Sequence, residues 1–128
     1  MKKLTNAEED VMQILWELGQ GFVKDVIDRM PDPKPPYNTV STVIRVLEKK
    51  EFIGHKQYGN TYEYFPLVSK EEYTKVHFSD FMSNYFNNSF PKMAAYFARE
   101  NNISMKELEE IMRLTEEELR KSNTSNNE

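Results

Sequence analysis

The hydrophobic period of this chain changes after residue 50, and the change limits which folds are possible. Between residues 37 and 50 the apolar side chains follow an i, i+3, i+4, i+7 spacing, typical of a helix with one buried face. They are Val40, Val43, Ile44 and Leu47. The segments FIGHKQY and TYEYFPL that follow have a period of two, with Gly59-Asn60 between them. This order predicts a helix that ends near Lys50, followed by a β-hairpin with a tight turn.

Two further helices are expected before this one. Thr5 and Glu8 have the spacing of a capping box, and the apolar residues after them predict a helix over 6–18, before two glycines. A shorter helix is expected over 23–30, and the segment PDPKPP ends it as a stiff connector. Three helices followed by a hairpin predict a winged helix-turn-helix domain over residues 1–68, in which the third helix enters the DNA major groove and the hairpin is a two-stranded wing.

The remainder of the chain is predicted to form a helical dimerisation domain. Ser69 and Glu72 form another capping box, and three helices are expected over residues 69–121, before a polar, disordered tail at 122–128. The fourth helix carries an aromatic stripe that nothing in the same helix covers, so a two-fold homodimer is expected. The predicted interface residues are Tyr73, Phe78, Phe81, Met82, Tyr85, Phe86, Leu108, Ile111 and Met112. The fold class is thus mainly α (α+β).

The charge of the chain is negative overall and positive in one region. The 128 residues carry a formal net charge of −4, which argues against a nucleic-acid partner. Residues 33–62, however, hold five lysine or arginine residues and two glutamates, a local charge of +3. The chain has no cysteine, and the residues after Lys2 and Lys3 lack the apolar run of a signal peptide. We therefore expect a cytoplasmic protein without disulfides or membrane insertion.

The outward face of the third helix is unusual for a surface helix. When the apolar residues face a core, the side chains that must point outward are Asn38, Ser41, Thr42, Arg45 and Lys49. Short amide and hydroxyl groups can contact base edges or phosphates, and a long cation reaches phosphate. The alternative interpretation is an ordinary solvated surface. The pattern favours a face that binds double-stranded DNA.

Four segments carry a likeness to a known family: LTNAEEDVMQILWELG, YNTVSTVIRVLEKKEFI, YEYFPLVSKEEY and SMKELEEI. In this order and at this spacing, the sequence resembles the BlaI/MecI-type penicillinase repressors over nearly all of residues 4–121. The resemblance implies a dimeric repressor that binds a palindromic operator through N-terminal winged helices. It also implies that the C-terminal helices form the dimer.

The resemblance assigns roles to individual residues. It places DNA contacts on Asn38, Thr39, Ser41, Thr42 and Arg45, with the wing residues Lys56 and Tyr58 near the DNA backbone. Of these, the Asn38 amide suits adenine and the Arg45 guanidinium suits phosphate.

The family also implies a route of induction. Its relatives are typically induced when a membrane-bound sensor with a zinc peptidase domain leads to cleavage of an Asn-Phe bond in the fifth helix. The matching pair here is Tyr96-Phe97, which lacks the Asn and is the candidate cleavage region. A copper-sensing branch uses a C-terminal cysteine motif, and a chain without cysteine cannot belong to that branch functionally.

Other functions have less support in the sequence. A Gly-rich phosphate loop, HExxH and GxSxG are all missing, so neither an enzyme nor a cofactor is expected. His55 and His77 stand apart without clustered carboxylates, so no metal site is expected. Two alternatives stay open: a winged helix used only for protein-protein contact, which the acidic net charge favours, and a direct sensor that binds a small ligand between the aromatic C-terminal helices.

Overall fold

The computed structural model describes residues 1–126, which are mainly helical with one two-stranded antiparallel sheet. The elements in chain order are α1 (Asn6–Leu18), α2 (Val23–Asp28), α3 (Tyr37–Lys49), β1 (Ile53–Tyr58), β2 (Thr61–Pro66), α4 (Lys70–Phe86), α5 (Phe90–Glu100) and α6 (Met105–Asn126). Contacts divide the chain into two units, one ending at Asp80 and one beginning at Phe81. The predicted fold class is confirmed: three helices and a wing, followed by further helices.

The start of α1 is set by the predicted capping box. The backbone N–H of Glu8 donates to the Thr5 hydroxyl at 3.2 Å, and the backbone N–H of Thr5 donates to the Glu8 carboxylate at 2.9 Å. Two backbone donors at the helix start are thereby satisfied. The helix ends at Gly19, whose φ of 82° is readily adopted only by a residue without a side chain.

The core of the first unit lies where α1, α3 and the wing meet. Its fully buried side chains include Met12 and Leu15 from α1, Ile44 and Leu47 from α3, and Ile53 from β1. Each helix contributes one apolar stripe, as the sequence spacing predicts. The consequence for α3 is that its opposite face lies at the surface.

A β-bridge between Gly21 and β2 attaches the wing to the helices. β1 and β2 pair in antiparallel register, and their turn contains Gly59 with φ of 60°. Gly21, just before α2, exchanges two backbone hydrogen bonds with Tyr64 of β2, at 2.9 and 2.8 Å. The sequence pattern assigns Gly21 only to the end of α1. Its bridge to β2 fixes the wing relative to the start of α2.

Tyr73 of α4 packs in the core of the first unit, although the aromatic stripe predicts it at a dimer interface. The side chain is 7% exposed and contacts Trp16 and Phe52, with ring centroids 5.9 and 6.0 Å away. Its hydroxyl accepts a hydrogen bond from the backbone N–H of Leu4 at 3.1 Å. The first turns of α4 are therefore part of the first unit, whereas the sequence places the domain boundary after residue 68.

The second unit contains the last residues of α4 together with the whole of α5 and α6. Ser89 caps α5, since its hydroxyl accepts from the backbone N–H of Lys92 at 3.3 Å. Helix α6 continues to Asn126, so residues 122–126 of the predicted disordered tail are helical; residues 127–128 lie outside the described part. Extending an existing helix costs little even for polar residues, which explains the difference. Within the described residues, no helix has the length and apolar character needed to cross a membrane.

A buried ion pair joins α1 to the end of α3. Glu8 is only 5% exposed, and the Lys50 ammonium donates to both of its carboxylate oxygens, at 2.7 and 2.8 Å. Burial by itself would raise the pKa of the Glu8 carboxyl, but the hydrogen bonds from Lys50 and Thr5 outweigh burial and hold this pKa below its usual value. The same carboxylate thus caps α1 and binds Lys50.

Replacing Lys50 should destabilise the first unit. Lys50→Met should lower the free energy of unfolding by about 2 kcal/mol, because it removes the hydrogen-bonded cation from a buried carboxylate whose partner is itself partly exposed. Lys49→Met is the matched control, since Lys49 is the exposed neighbour, and it should change this free energy by less than about 0.5 kcal/mol. Denaturant unfolding of both variants measures the difference. Equal losses in the two variants would contradict a stabilising pair.

Stability should also depend on pH through Glu8. Because folding lowers the pKa of this carboxyl, its contribution is fully present above the ordinary glutamate pKa and is lost as the pH falls through the lowered value. Between about pH 6 and pH 3, Glu8→Gln should therefore lose less unfolding free energy than the wild-type chain does. Denaturant unfolding over this pH range tests the prediction, and parallel curves for the two proteins would refute it.

Candidate nucleic-acid interface

The polar residues of α3 lie at the surface together. Asn38, Thr39, Thr42, Arg45 and Lys49 are exposed, and Ser41 is half-buried. Behind them, Val40, Ile44 and Leu47 are buried at 2% exposure or less. The core therefore holds α3 in one orientation while its polar face stays open.

Hydrogen bonds along α3 organise part of this face. The Thr42 hydroxyl donates to the backbone carbonyl of Asn38 at 2.8 Å, and a guanidinium nitrogen of Arg45 donates to the Ser41 hydroxyl at 3.3 Å. Both bonds join residues one helical turn apart. Among the described residues the side-chain amide of Asn38 has no such bond, so its donor and acceptor remain available to a ligand.

The wing carries two of the predicted interface residues, one cation and one phenol. Lys56 of β1 is exposed and stands opposite Glu63 of β2 in the strand register. Tyr58 is also exposed, and its ring meets Phe22 edge-on with centroids 6.0 Å apart. Phe22 directly precedes α2, so the wing tip rests against the second helix of the domain. Both predicted wing residues are therefore accessible.

A groove runs between the start of α2, the polar face of α3 and the wing. Its lining includes Phe22, Lys24, Tyr37, Ser41, Arg45 and Tyr62. Lys24, Tyr37 and Tyr62 extend the candidate interface beyond the residues predicted from the sequence. Tyr37 is the first residue of α3 and directly precedes Asn38. This position in the sequence could have identified Tyr37 as a residue of the interface.

Tertiary contacts change the charge expected at this surface. Lys50 binds Glu8 in the core, and the Lys34 ammonium donates to the backbone carbonyls of Asp28, at 3.0 Å, and of Met30. These two lysines count toward the local charge of +3 but are engaged elsewhere. Arg45, Lys49 and Lys56 from the predicted set, together with Lys24, supply the positive charge of the interface.

The apolar side chains predicted at the dimer interface differ in their exposure. Phe78, Tyr85, Leu108, Ile111 and Met112 are exposed, and Phe81 and Phe86 are half-buried. Met82, like Tyr73, is only 7% exposed. Side chains as buried as Tyr73 and Met82 can contribute little area to a contact with a second chain.

The aromatic residues of the second unit pack on one another. The ring of Phe86 lies 5.5 Å from Phe81, 5.8 Å from Tyr96 and 6.2 Å from Phe97, measured between centroids. Tyr96 and Phe97, the candidate cleavage pair, lie in the middle of α5 and are partly exposed. The peptide bond between them is therefore in a helical conformation.

The two histidines occupy different surroundings. His55 contacts Glu48 and stacks on Tyr62, whereas His77 packs on Tyr73. In the part of the chain that the structure describes, no three His, Asp or Glu side chains are grouped to hold a metal ion.

A three-helix domain with a two-stranded wing and an exposed polar third helix defines the class of winged-helix transcription regulators. The sequence model of the penicillinase repressor family matches residues 4–117, and the chain belongs to that family.

Relatives of this chain extend over most of its length. The penicillinase repressor of Bacillus licheniformis is 26% identical over 125 residues, which cover 91% of this chain and 94% of the relative. The methicillin resistance regulatory protein MecI of Staphylococcus aureus (strain N315) is 24% identical over 110 residues, covering 85% of this chain and 89% of the relative. Among solved structures, the DNA-binding domain of the repressor BlaI aligns with 57% of this chain and 94% of that domain, at 26% identity and a TM-score of 0.49.

Proposed function

We propose that this chain is a transcriptional repressor that binds a palindromic operator in double-stranded DNA as a homodimer. The observation that carries the proposal is the exposed polar face of α3, supported from behind by a buried apolar stripe and flanked by a wing. Membership of a family of repressors supports it. A repressor acts where the DNA is, so we keep the cytoplasm as the proposed location. We refer to α3 below as the recognition helix.

Each side chain of the interface has a distinct proposed task. Asn38 offers both a donor and an acceptor and is suited to the edge of adenine in the major groove. Arg45 lies one turn after Ser41 and donates a hydrogen bond to the Ser41 hydroxyl. Its guanidinium is suited to contact phosphate. Thr39, Ser41 and Thr42 add short hydroxyl contacts to base edges or phosphates. The DNA backbone would be contacted by Lys49, the remaining cation of the helix, and by the wing residues Lys56 and Tyr58.

The dimer is proposed from the exposed apolar side chains of the second unit. On α6, residues Met105, Leu108, Met112 and Leu119 recur at spacings of three, four and seven positions and are all exposed. This spacing places them on one helical stripe, which a second copy could cover. A two-fold axis between the copies would present two recognition helices to the two halves of a palindrome.

Release from DNA by a membrane-bound sensor peptidase stays a proposal drawn from the family. The candidate bond, Tyr96–Phe97, lies within α5, so a peptidase that needs an extended substrate would have to act on a locally unfolded form.

A second candidate function is a winged helix that binds only a protein partner. The net charge of −4 favours it, because most strong DNA binders are basic. Two results together would favour this function over DNA binding: no sequence-specific DNA complex at physiological salt, and a protein partner that binds the polar face of α3.

Removal of Arg45 should weaken DNA binding by the loss of one phosphate contact. In a titration of promoter DNA from its own operon, the logarithm of the association constant should fall with the logarithm of salt concentration by about 0.9 per phosphate contacted. Arg45→Ala should reduce this slope by about one. Arg120→Ala, in the second unit, is the matched control and should leave the slope unchanged. Unchanged affinity and slope in Arg45→Ala would count against the interface.

Introducing a charge into the apolar stripe of α6 should separate the dimer. Met112→Glu would bury an unpaired carboxylate at the proposed interface, so sedimentation should show monomers that bind one half-site weakly. Lys106→Glu, on a different face of the same helix, is the control and should remain dimeric although it changes the charge by more. A dimeric Met112→Glu protein would place the interface elsewhere.

A further inference from the structure

A histidine of the wing connects the wing to the recognition helix. The Nδ1 atom of His55 on β1 contacts a carboxylate oxygen of Glu48 on α3. Its ring stacks on Tyr62 with centroids 4.3 Å apart, and it meets Tyr64 edge-on at 6.0 Å. The imidazole is therefore held by the opposite strand of the wing on one side and by α3 on the other.

Glu48 is an acidic residue on a surface proposed to face phosphate. It follows Ser41 and Arg45 at helical spacing and lines the same groove as they do. Its side chain is 31% exposed and that of His55 is 34% exposed, so neither is sealed in the core. A carboxylate at this position repels the DNA backbone, whereas the neighbouring cations attract it. The charge of Glu48 must be neutralised if it is not to oppose binding.

Several ionisable or charged side chains lie near the contact between His55 and Glu48. Glu48, Tyr62 and Tyr64 contact the His55 ring. The other ionisable or charged side chains nearby are Lys24, Asp25, Tyr37 and Arg45, which line the groove beside Glu48, and Lys56 and Glu63, which occupy the adjacent strand positions. Arginine, lysine, tyrosine and carboxylate side chains ordinarily keep one charge state at neutral pH, whereas histidine changes its charge between about pH 5 and pH 8.

Building on the proposed DNA-binding function, we propose that His55 is a positioning residue that fixes the wing against the recognition helix through Glu48, and that DNA binding takes up a proton at its imidazole. A neutral imidazole leaves the negative charge of Glu48 facing the duplex. A protonated imidazole cancels that charge and forms an ion pair that holds the wing on α3. Since phosphates favour the protonated form, linkage requires that a lower pH strengthens DNA binding.

The experiment measures DNA affinity and proton uptake together. Binding of promoter DNA at constant salt should be about threefold to fivefold tighter per subunit at about pH 6 than at about pH 8, as expected for one partly exposed charge contact. Calorimetry in two buffers of different ionisation enthalpy should show proton uptake on binding. His55→Gln should lose both the pH dependence and the proton uptake. Glu48→Gln should bind more tightly than the wild-type chain at about pH 8, because it removes the carboxylate, but it should keep proton uptake, because protonation of His55 still adds one positive charge.

His77→Gln is the matched control, because His77 is the second of the two histidines and packs on Tyr73. It should keep the pH dependence of the wild-type chain. If the wild-type chain binds DNA without proton uptake, or if His55→Gln retains that uptake, this inference is wrong while DNA binding stands. Absence of DNA binding at every pH would instead overturn the proposed function, and this inference with it. Should His55→Gln fail to fold, His55→Asn replaces it, and retained proton uptake in that variant would equally contradict the inference.

Discussion

The packing of α3 against the rest of the first unit is the constraint on which the other features depend. Val40, Ile44 and Leu47 are nearly inaccessible to solvent, so the helix can neither rotate nor slide without exposing them. Its remaining face must then lie at the surface in a fixed orientation. Small polar side chains can read a ligand only if their backbone is held in this way. The buried stripe therefore determines the geometry of the proposed DNA contacts as well as the stability of the domain.

Local signals in the sequence were sufficient to predict the elements of the first unit. The capping box at Thr5 and Glu8, the apolar spacing of α3 and the glycine between the two strands each act within a few residues. Such features are set by backbone geometry and by the immediate neighbours. The polar face of α3 follows from the same spacing. This explains why its exposure could be predicted without tertiary information.

Features that depend on distant contacts could not be predicted in the same way. Lys50 and Glu8 are 42 positions apart, and Leu4 and Tyr73 are 69 positions apart. A lysine at the end of a helix has the same local pattern whether it binds DNA or a buried carboxylate. An aromatic side chain on an amphipathic helix likewise has the same spacing in a core and in an interface, so spacing alone could not show that Tyr73 packs in the core of the first unit. The bridge between Gly21 and β2 belongs to the same group of long-range contacts.

The negative charge of the chain and its proposed polyanionic ligand can be reconciled by considering where each charge acts. At physiological ionic strength, interactions between exposed charges are screened beyond about 8 Å, so a ligand responds to the residues beside it rather than to the total. Acidic residues are spread over both units, whereas Arg45, Lys49 and Lys56 belong to the proposed interface itself. On the proposed interface itself the carboxylate of Glu48 is in contact with His55. The sign of the local charge thus depends on how the few ionisable groups of one groove are paired, and this pairing is a property of the folded structure.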